Sequence, residues 1–241
     1  KTYWKGLMIL VKIYLDAGHG GIDGGAAANG IKEKDIVLKL VKKMQVLLKN
    51  YQDAEVILSR DSDEAMSLEE RTRKANIAGA DVLLSIHINA AKATSARGFE
   101  SYIYPNSGSA TSAFQNVMHA EIIRAMGGKV EDRGKKQANF HMLRESKMKA
   151  LLTENLFISN SADANLLKTD DFLDKIAAGH VNGLEKFIGL KRIENPPQPS
   201  KPVNGGKLYY VQVGAFEDKE NAEALAADLR KEGYRPYIKY E

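Results

Sequence analysis

Hydrophobic and polar positions alternate along the chain in two patterns. Short apolar runs predict buried strands, whereas apolar residues three or four positions apart predict helices with one buried face. The strand segments are VKIYLD, AEVILSR, ADVLLSIHIN, GFESYIYP and KALLTENLFIS. The helical segments are KEKDIVLKLVKKMQVLLKN, SLEERTRKANIAG, SATSAFQNVMHAEIIRAMGG, SADANLLKT and TDDFLDKIAAGHVNGLEKFIG. This alternation predicts an α/β fold, in which helices cover both faces of a mainly parallel sheet.

Two local signals refine this pattern. Ser67 precedes the second helical segment and Glu70 follows three residues later, which is the pattern of a capping box, while Gly79 ends the segment. ADVLLSIHIN is the most apolar of the strand segments, so we expect it to lie in the middle of the sheet.

The composition changes near residue 190 and divides the chain. Residues 191–207 hold four of the six prolines and two adjacent glycines, which predicts a semi-rigid linker. Residues 208–241 have the pattern strand, helix, strand, and so short a unit cannot bury a secure core alone. Residues 1–10 are predicted to be an N-terminal extension, so the main domain spans residues 11–190.

Composition and charge narrow the class of function only slightly. The formal net charge of +4 suits an anionic partner such as nucleic acid, anionic lipid or a cell-wall polymer. Nucleic acid is disfavoured because the sequence has no basic module interleaved with aromatic residues. No apolar run approaches the roughly 20 residues of a membrane span. No small-residue cleavage site follows the apolar start, so we predict no signal peptide.

Titratable side chains stand where several predicted strands end. In an open α/β sheet, ligands bind beyond the carboxyl ends of the strands. The first strand leads to His19, the central strand carries His87, the late strand carries Glu154, and Glu33 begins the helix after the His19 loop. The chain has no cysteine, so a transition metal must be held by His, Asp or Glu. Two imidazoles and a carboxylate suit catalytic zinc, with the second glutamate as a base.

Each of these residues also has a structural explanation. His87 lies in an apolar strand, where a hydrogen-bonded core histidine is the alternative to a ligand. Glu33 can simply favour a helix N-terminus through the helix dipole. Glu154 closes an apolar strand, and a buried carboxylate needs a partner or a metal. His119 and His180 lie in helical segments, and we expect both to be surface or packing residues.

Several motifs, in the same order along the chain, resemble the zinc-dependent N-acetylmuramoyl-L-alanine amidases. This is a family of cell-wall hydrolases with a three-layer α/β/α fold of the phosphorylase/hydrolase type. The segments that carry the resemblance are IYLDAGHGG, GIKEKDI, LSRDSDEAMSLEERTRKAN, GADVLLSIHINA, GFESYIYP, RGKKQANFHMLRESKMKALLTENLFISN and LEKF. They cover about residues 11–190 and look closest to sporulation-type and phage-lysin members from Gram-positive bacteria.

The resemblance implies a set of site residues and a reaction. His19, Glu33 and His87 would bind one zinc ion, and Glu154 would be the catalytic glutamate. The bond cut would be the amide between N-acetylmuramic acid and L-alanine in peptidoglycan. Substrate contacts or oxyanion stabilisers are expected among Asn89, Asn139, His141 and Arg144. Asp16 is expected to orient His19, because zinc-bound histidines usually donate their other N–H to an acceptor.

The chain departs from the family pattern beside the catalytic glutamate. Family members commonly have proline where this chain has Lys149, and glycine where it has Asn155 and Leu156. We therefore expect the loop around Glu154 to be reshaped.

Residues 208–241 resemble one β-α-β half of a SPOR domain, a module that binds peptidoglycan. The resemblance implies peptidoglycan as the partner and action at the bacterial cell wall, reached by another secretion route or by release at lysis. The sequence carries no signal for an oligomeric state. Two alternatives remain open, namely a zinc peptidase acting on stem peptides and a wall-binding protein whose hydrolase domain is inactive.

Overall fold

The computed structural model describes residues 10–193 and 214–231, with the single residues 236 and 238. The chain divides into two compact units, Lys1–Glu194 and Asn195–Glu241. The predicted N-terminal extension, most of the linker and the two strands that flank the C-terminal helix lie largely outside the described residues. Those assignments stay predictions.

A six-stranded sheet forms the centre of the first unit, in the order β4-β1-β5-β8-β6-β7. Two further short strands, β2 and β3, form a separate antiparallel pair. The strands are β1 (Val11–Ala17), β2 (Ala27–Ala28), β3 (Ile31–Lys32), β4 (Ala54–Leu58), β5 (Val82–Asn89), β6 (Phe99–Ile103), β7 (Asp132–Gln137) and β8 (Lys149–Phe157). Strands β1, β4, β5 and β8 run parallel, β6 runs antiparallel to β8, and β7 runs parallel to β6. The predicted mainly parallel sheet is confirmed, with β5 inside it.

Helices pack on both faces of this sheet and complete three layers. They are α1 (Glu33–Leu48), α2 (Leu68–Ala78), α3 (Ser109–Met126), α4 (His141–Arg144), α5 (Ser161–Leu167) and α6 (Asp170–Leu184), followed by a π-helical segment, Glu185–Gly189. Helices α1, α3 and α6 bury the larger apolar cluster, around Leu40, Ile122 and Ile176. Helices α2 and α4 bury a smaller one, around Ala75 and Met142.

The second unit contains one helix within the described residues, α7 (Lys219–Lys231), where the sequence pattern predicts it. Among the helices that the structure describes, none has the length and apolar character needed to cross a membrane.

Strand β7 is the element that the hydrophobic pattern does not predict. Its sequence, DRGKKQ, is polar throughout and its side chains are partly or fully exposed. It lies at the edge of the sheet, where charged residues are typical because they discourage pairing with another chain. A pattern search for buried strands therefore misses it.

Helix α2 begins and ends at the predicted residues. The Ser67 hydroxyl oxygen accepts a hydrogen bond from the Glu70 N–H at 3.1 Å, and Gly79 ends the helix with a φ of 63°. The left-handed φ is one that glycine adopts without a steric penalty.

The cap on α2 gives a first testable prediction. Replacing Ser67 by alanine removes the acceptor for an otherwise unpaired helix N–H, so we expect the free energy of unfolding to fall by about 1 kcal/mol in urea titrations. The control is Ser161→Ala at the start of α5, because the Ser161 hydroxyl makes no hydrogen bond within the described residues. Equal unfolding midpoints for the two variants would contradict the capping role.

Candidate metal centre and active site

The side chains of His19, Glu33 and His87 meet at the carboxyl ends of β1 and β5. One possible ligand atom from each lies within 4.8 Å of the other two. Glu33 Oε1 is 3.2 Å from His19 Nε2 and 3.0 Å from His87 Nδ1. We call these three residues the His–Glu–His cluster.

Backbone contacts hold the central carboxylate of this cluster in place. Glu33 is the first residue of α1, and its two oxygens accept the N–H groups of Ala26 at 2.9 Å and Ile88 at 3.0 Å. It thus joins the loop after β1 to strand β5. A Cβ atom at Gly25 would lie 2.6 Å from Glu33 Oε2 and 2.7 Å from the His19 ring, so only glycine fits there.

The electrostatics of the cluster favour a cation. The hydrogen bond between His19 and Glu33 raises the pKa of His19 to about 9. Burial acts to lower this pKa, whereas Asp23 also raises it. Burial alone would raise the pKa of Glu33, but hydrogen bonds from His19 and His87 hold it well below its usual range. Two imidazoles around one ionised carboxylate are a donor set that fits a divalent metal ion such as zinc.

The carboxylate that orients His19 belongs to Asp23, so the prediction that assigned this role to Asp16 is wrong. Asp23 Oδ2 lies 2.8 Å from His19 Nδ1. The two oxygens of Asp16 instead accept hydrogen bonds from Arg71 Nη1 at 2.8 Å and Ser85 Oγ at 2.7 Å. Asp16 is buried in β1, where side chains alternate between the two faces of the sheet, and its own side chain faces α2. Asp23 lies in the loop that carries His19.

Arg60 ties the His19 loop to the start of α1. Its side chain is buried, and it donates to the backbone oxygens of Ala17 at 3.1 Å, Gly18 at 3.0 Å and Lys34 at 2.9 Å. Because Lys34 follows Glu33, one guanidinium holds the backbone next to two members of the cluster.

Arg71 holds the same loop from α2. It donates to the Asp16 carboxylate at 2.8 Å and to the backbone oxygens of Ala17 and His19, each at 2.6 Å. His19 has a φ of 60°, a conformation that non-glycine residues adopt only when their surroundings enforce it. Both arginines lie in the segment LSRDSDEAMSLEERTRKAN, where no pattern of spacing marks them as functional.

Glu154 lies beside the cluster, on the neighbouring strand. In β8 it is the register partner of His87 on one side and of Glu100 in β6 on the other. Within the described residues, its buried Oε2 atom has no hydrogen-bond partner. Burial, reinforced by the charges of Glu33 and Glu100 and opposed by His87, raises the pKa of Glu154 to about 7.

The two residues after Glu154 lie where strand β8 departs from regular pairing with β5. Leu156 is fully buried and has a φ of 74°, close to the point where the β5–β8 register shifts. Asn155 Nδ2 donates to the His87 backbone oxygen at 3.1 Å and to Thr153 Oγ1 at 3.0 Å. The side chain at this position therefore ties β8 to β5 beside the cluster.

His119 and His180 are packing residues, as expected. His180 is fully buried, with Nε2 3.1 Å from Thr153 Oγ1. The His119 ring lies between Ser101 Oγ and Asp132 Oδ1, at 2.8 Å from each. Serine, histidine and aspartate are thus connected in the same order as in the catalytic triad of a serine hydrolase. Ser101 is fully buried between the sheet and α3, so the arrangement ties two strands to a helix and leaves a substrate no access.

The four predicted substrate contacts separate into two groups. Asn89 lies at the cluster edge and donates to Glu100 at 2.6 Å. Strand β7 runs antiparallel to β5, so it ends beside the amino ends of the parallel strands, away from the cluster. The residues that follow it are Asn139, His141 and Arg144. Within the described residues, none of these three forms a hydrogen bond with the cluster or Glu154. Arg144 bonds Asn139 at 2.7 Å, and His141 lies 3.3 Å from Thr72 Oγ1.

Comparison with known proteins identifies the family. A family model described as N-acetylmuramoyl-L-alanine amidase matches residues 13–186, which include the cluster and Glu154. The chain belongs to this amidase family. It is therefore a hydrolase that cleaves the bond between N-acetylmuramic acid and L-alanine in peptidoglycan. A second model, of the SPOR domain, matches residues 205–241.

Individual relatives agree with this assignment to the amidase family. A sporulation-specific N-acetylmuramoyl-L-alanine amidase of Bacillus subtilis (strain 168) is 46% identical over 93% of this chain and 83% of its own length. An endolysin of Bacillus phage SPP1 is 47% identical over 80% of this chain and 73% of its own. The catalytic domain of the amidase CwlV from Bacillus (Paenibacillus) polymyxa var. colistinus matches with a TM-score of 0.71 and 34% identity, over 76% of this chain and 100% of that domain.

Proposed function

We propose that His19, Glu33 and His87 hold one zinc ion and that Glu154 is the base in amide hydrolysis. The observation that carries this proposal is the approach of three ligand atoms to within 4.8 Å of one another, with the buried Glu154 on the adjacent strand. Two imidazoles and one carboxylate leave a fourth zinc position open to water.

The chain's own residues then have separate tasks. Zinc bound at the cluster would lower the pKa of a water toward 7 and polarise the scissile carbonyl. Asp23 fixes the ring of His19, so that Nε2 faces Glu33. Burial raises the pKa of Glu154 to about 7 in the zinc-free site, and a carboxylate there can accept a proton from water and return it to the leaving amine.

The second unit is proposed to hold the enzyme on its polymeric substrate. The match to the SPOR domain supports peptidoglycan as the partner of this unit. We propose action at the bacterial cell wall, in keeping with the names of a sporulation-specific amidase and a phage endolysin among the relatives. Release at lysis, or another secretion route, is part of this proposal.

Metal removal tests the role of the cluster. We expect a chelator to abolish the cleavage of purified peptidoglycan and one equivalent of zinc to restore it, because the three ligands provide one site. Mass spectrometry of the products should find new L-alanine amino termini together with free lactyl carboxylates.

Three results would contradict the proposal. Full activity after chelation would exclude the metal mechanism. Release of other stem-peptide termini alone would favour a zinc peptidase, and the absence of cleavage with wall binding retained would favour an inactive binding protein.

A further inference from the structure

A row of charged side chains runs from the His–Glu–His cluster across the sheet, on the face covered by α2 and α4. His87 in β5, Glu154 in β8 and Glu100 in β6 are successive register partners. The edge strand β7 adds Arg133 and Lys136, which both donate to Glu100. Neighbouring strands lie about 4.8 Å apart, so Glu100 stands roughly 10 Å from His87 along this row.

Glu100 anchors the basic end of the row. Its carboxylate is 4% exposed and accepts hydrogen bonds from Asn89 at 2.6 Å, Tyr102 at 2.7 Å, Arg133 at 2.9 Å and Lys136. One buried carboxylate between two cations leaves one positive charge uncompensated. The anchor therefore fixes the two cations without neutralising them.

The two cations remain accessible to a ligand. The Arg133 side chain is 29% exposed and that of Lys136 is 35% exposed. Within the described residues, Arg133 uses only Nε and Nη1 as donors and Lys136 bonds only Glu100, so both keep N–H groups free. The Arg133 guanidinium also lies 4.8 Å from the centre of the Phe157 ring, which fixes its orientation.

We propose that Arg133 and Lys136 bind a carboxylate of the substrate, the one on the acidic residue that follows L-alanine in the stem peptide. This inference rests on the proposed zinc amidase function, which puts the scissile amide at the cluster. Two extended peptide residues and one hydrogen bond span about 10 Å, which matches the distance from His87 to Glu100. Glu154 repels a carboxylate from the middle of the row, so the charges also set the direction of the peptide.

A pair of substrates tests this subsite. N-acetylmuramoyl tetrapeptides are prepared in which the second peptide residue carries either a free α-carboxylate or a carboxamide. We expect the wild-type protein to cleave the carboxylate form with a kcat/KM about tenfold higher, mainly through KM, which is the order expected for one charge-assisted hydrogen bond. Arg133→Gln and Lys136→Met should each lose this preference, so that within each variant the kcat/KM values for the carboxylate and carboxamide forms become equal.

Lys135→Met is the matched control. Lys135 is the neighbour of Lys136 on the same strand, but it bonds Asn116 in α3 on the opposite face, so its replacement should keep the preference. A wild-type protein without preference would overturn the inference. So would an equal loss on both substrates in the two variants, because that result indicates a structural tie through Glu100.

A binding measurement separates this inference from the proposed function. The free tetrapeptide lacks the muramoyl amide, so calorimetric titration of the protein with its carboxylate or carboxamide form compares their affinities without cleavage. If neither muramoyl substrate is cleaved but the carboxylate peptide still binds about tenfold more tightly, the proposed function fails and the subsite stands. Equal affinity of the two peptides contradicts the subsite, whatever the result of the cleavage assay.

Discussion

Replacing Glu154 by glutamine is expected to lower kcat for peptidoglycan cleavage by about 10³-fold, while zinc binding remains. Glutamine keeps the shape of the side chain but cannot carry a proton from water to the leaving amine, and lost general acid–base catalysis typically costs 10²- to 10⁴-fold. The measurements are single-substrate kinetics and metal content after dialysis. The loss should be in kcat and not in KM, because Glu154 acts on the reacting atoms.

A stability measurement distinguishes this loss from misfolding. The pKa of Glu154 is about 7 in the folded protein and near 4.5 when unfolded, so the folded state binds the extra proton. In the zinc-free wild type, this group makes stability fall as the pH rises from about 4.5 to 7, and the glutamine variant lacks that contribution. Above pH 7 the variant should therefore be at least as stable as wild type.

The outcome also decides between hypotheses. A glutamine variant with wild-type kcat would remove Glu154 from the mechanism. If wild type and variant both fail to cleave while binding the wall equally, the chain is a binding protein and not an active enzyme.

The parallel half of the fold could be predicted from sequence because its strands are buried on both faces. Continuous apolar runs such as VLLSIHIN show where β1, β5 and β8 lie, and capping residues show where α2 begins. The polar edge strand β7 has no such signal, because its side chains face solvent or other polar groups.

The direction of β6 and β7 explains why three of the expected substrate contacts lie away from the cluster. The resemblance to the amidases implies Asn139, His141 and Arg144 as substrate contacts, but the hydrophobic pattern does not predict the strand β7 that precedes them. Reversal of β6 takes the end of β7 to the opposite edge and brings its start, with Arg133, toward Glu154. The location of His19, Glu33, His87 and Glu154 did not depend on that reversal, because their strands and helix belong to the parallel half.

The partners of buried polar groups were the hardest feature to predict. Asp16 and Asp23 are both near His19 in sequence. Only the packing of α2 against β1 and the pairing of β1 with β5 show that Arg71 and Ser85 donate hydrogen bonds to Asp16. The partners of Arg60 were equally hard to predict, because they are backbone oxygens, which every residue has.

Replacing Arg60 by methionine is expected to have the second large effect, on both stability and metal affinity. The variant loses the donors to the backbone oxygens of Gly18 and Lys34, whereas the Ala17 oxygen keeps its hydrogen bond from Arg71. Unpaired buried acceptors cost about 1–3 kcal/mol each when no water reaches them, so we expect a loss of about 3 kcal/mol in urea unfolding of the zinc-free protein.

The affinity for zinc should fall with it, by about 10- to 100-fold, which is typical for the loss of groups that orient metal ligands. Arg60 restrains the loop of His19 and the first turn of α1 together, so without it the two ligands move independently and binding must first order them. Competition with a chromophoric chelator measures this affinity without any assay of cleavage. Arg73→Met is the control, because Arg73 is an exposed arginine on α2. If Arg60→Met loses stability but keeps wild-type zinc affinity, Arg60 supports the fold alone and the cluster is organised by Glu33 and its backbone contacts.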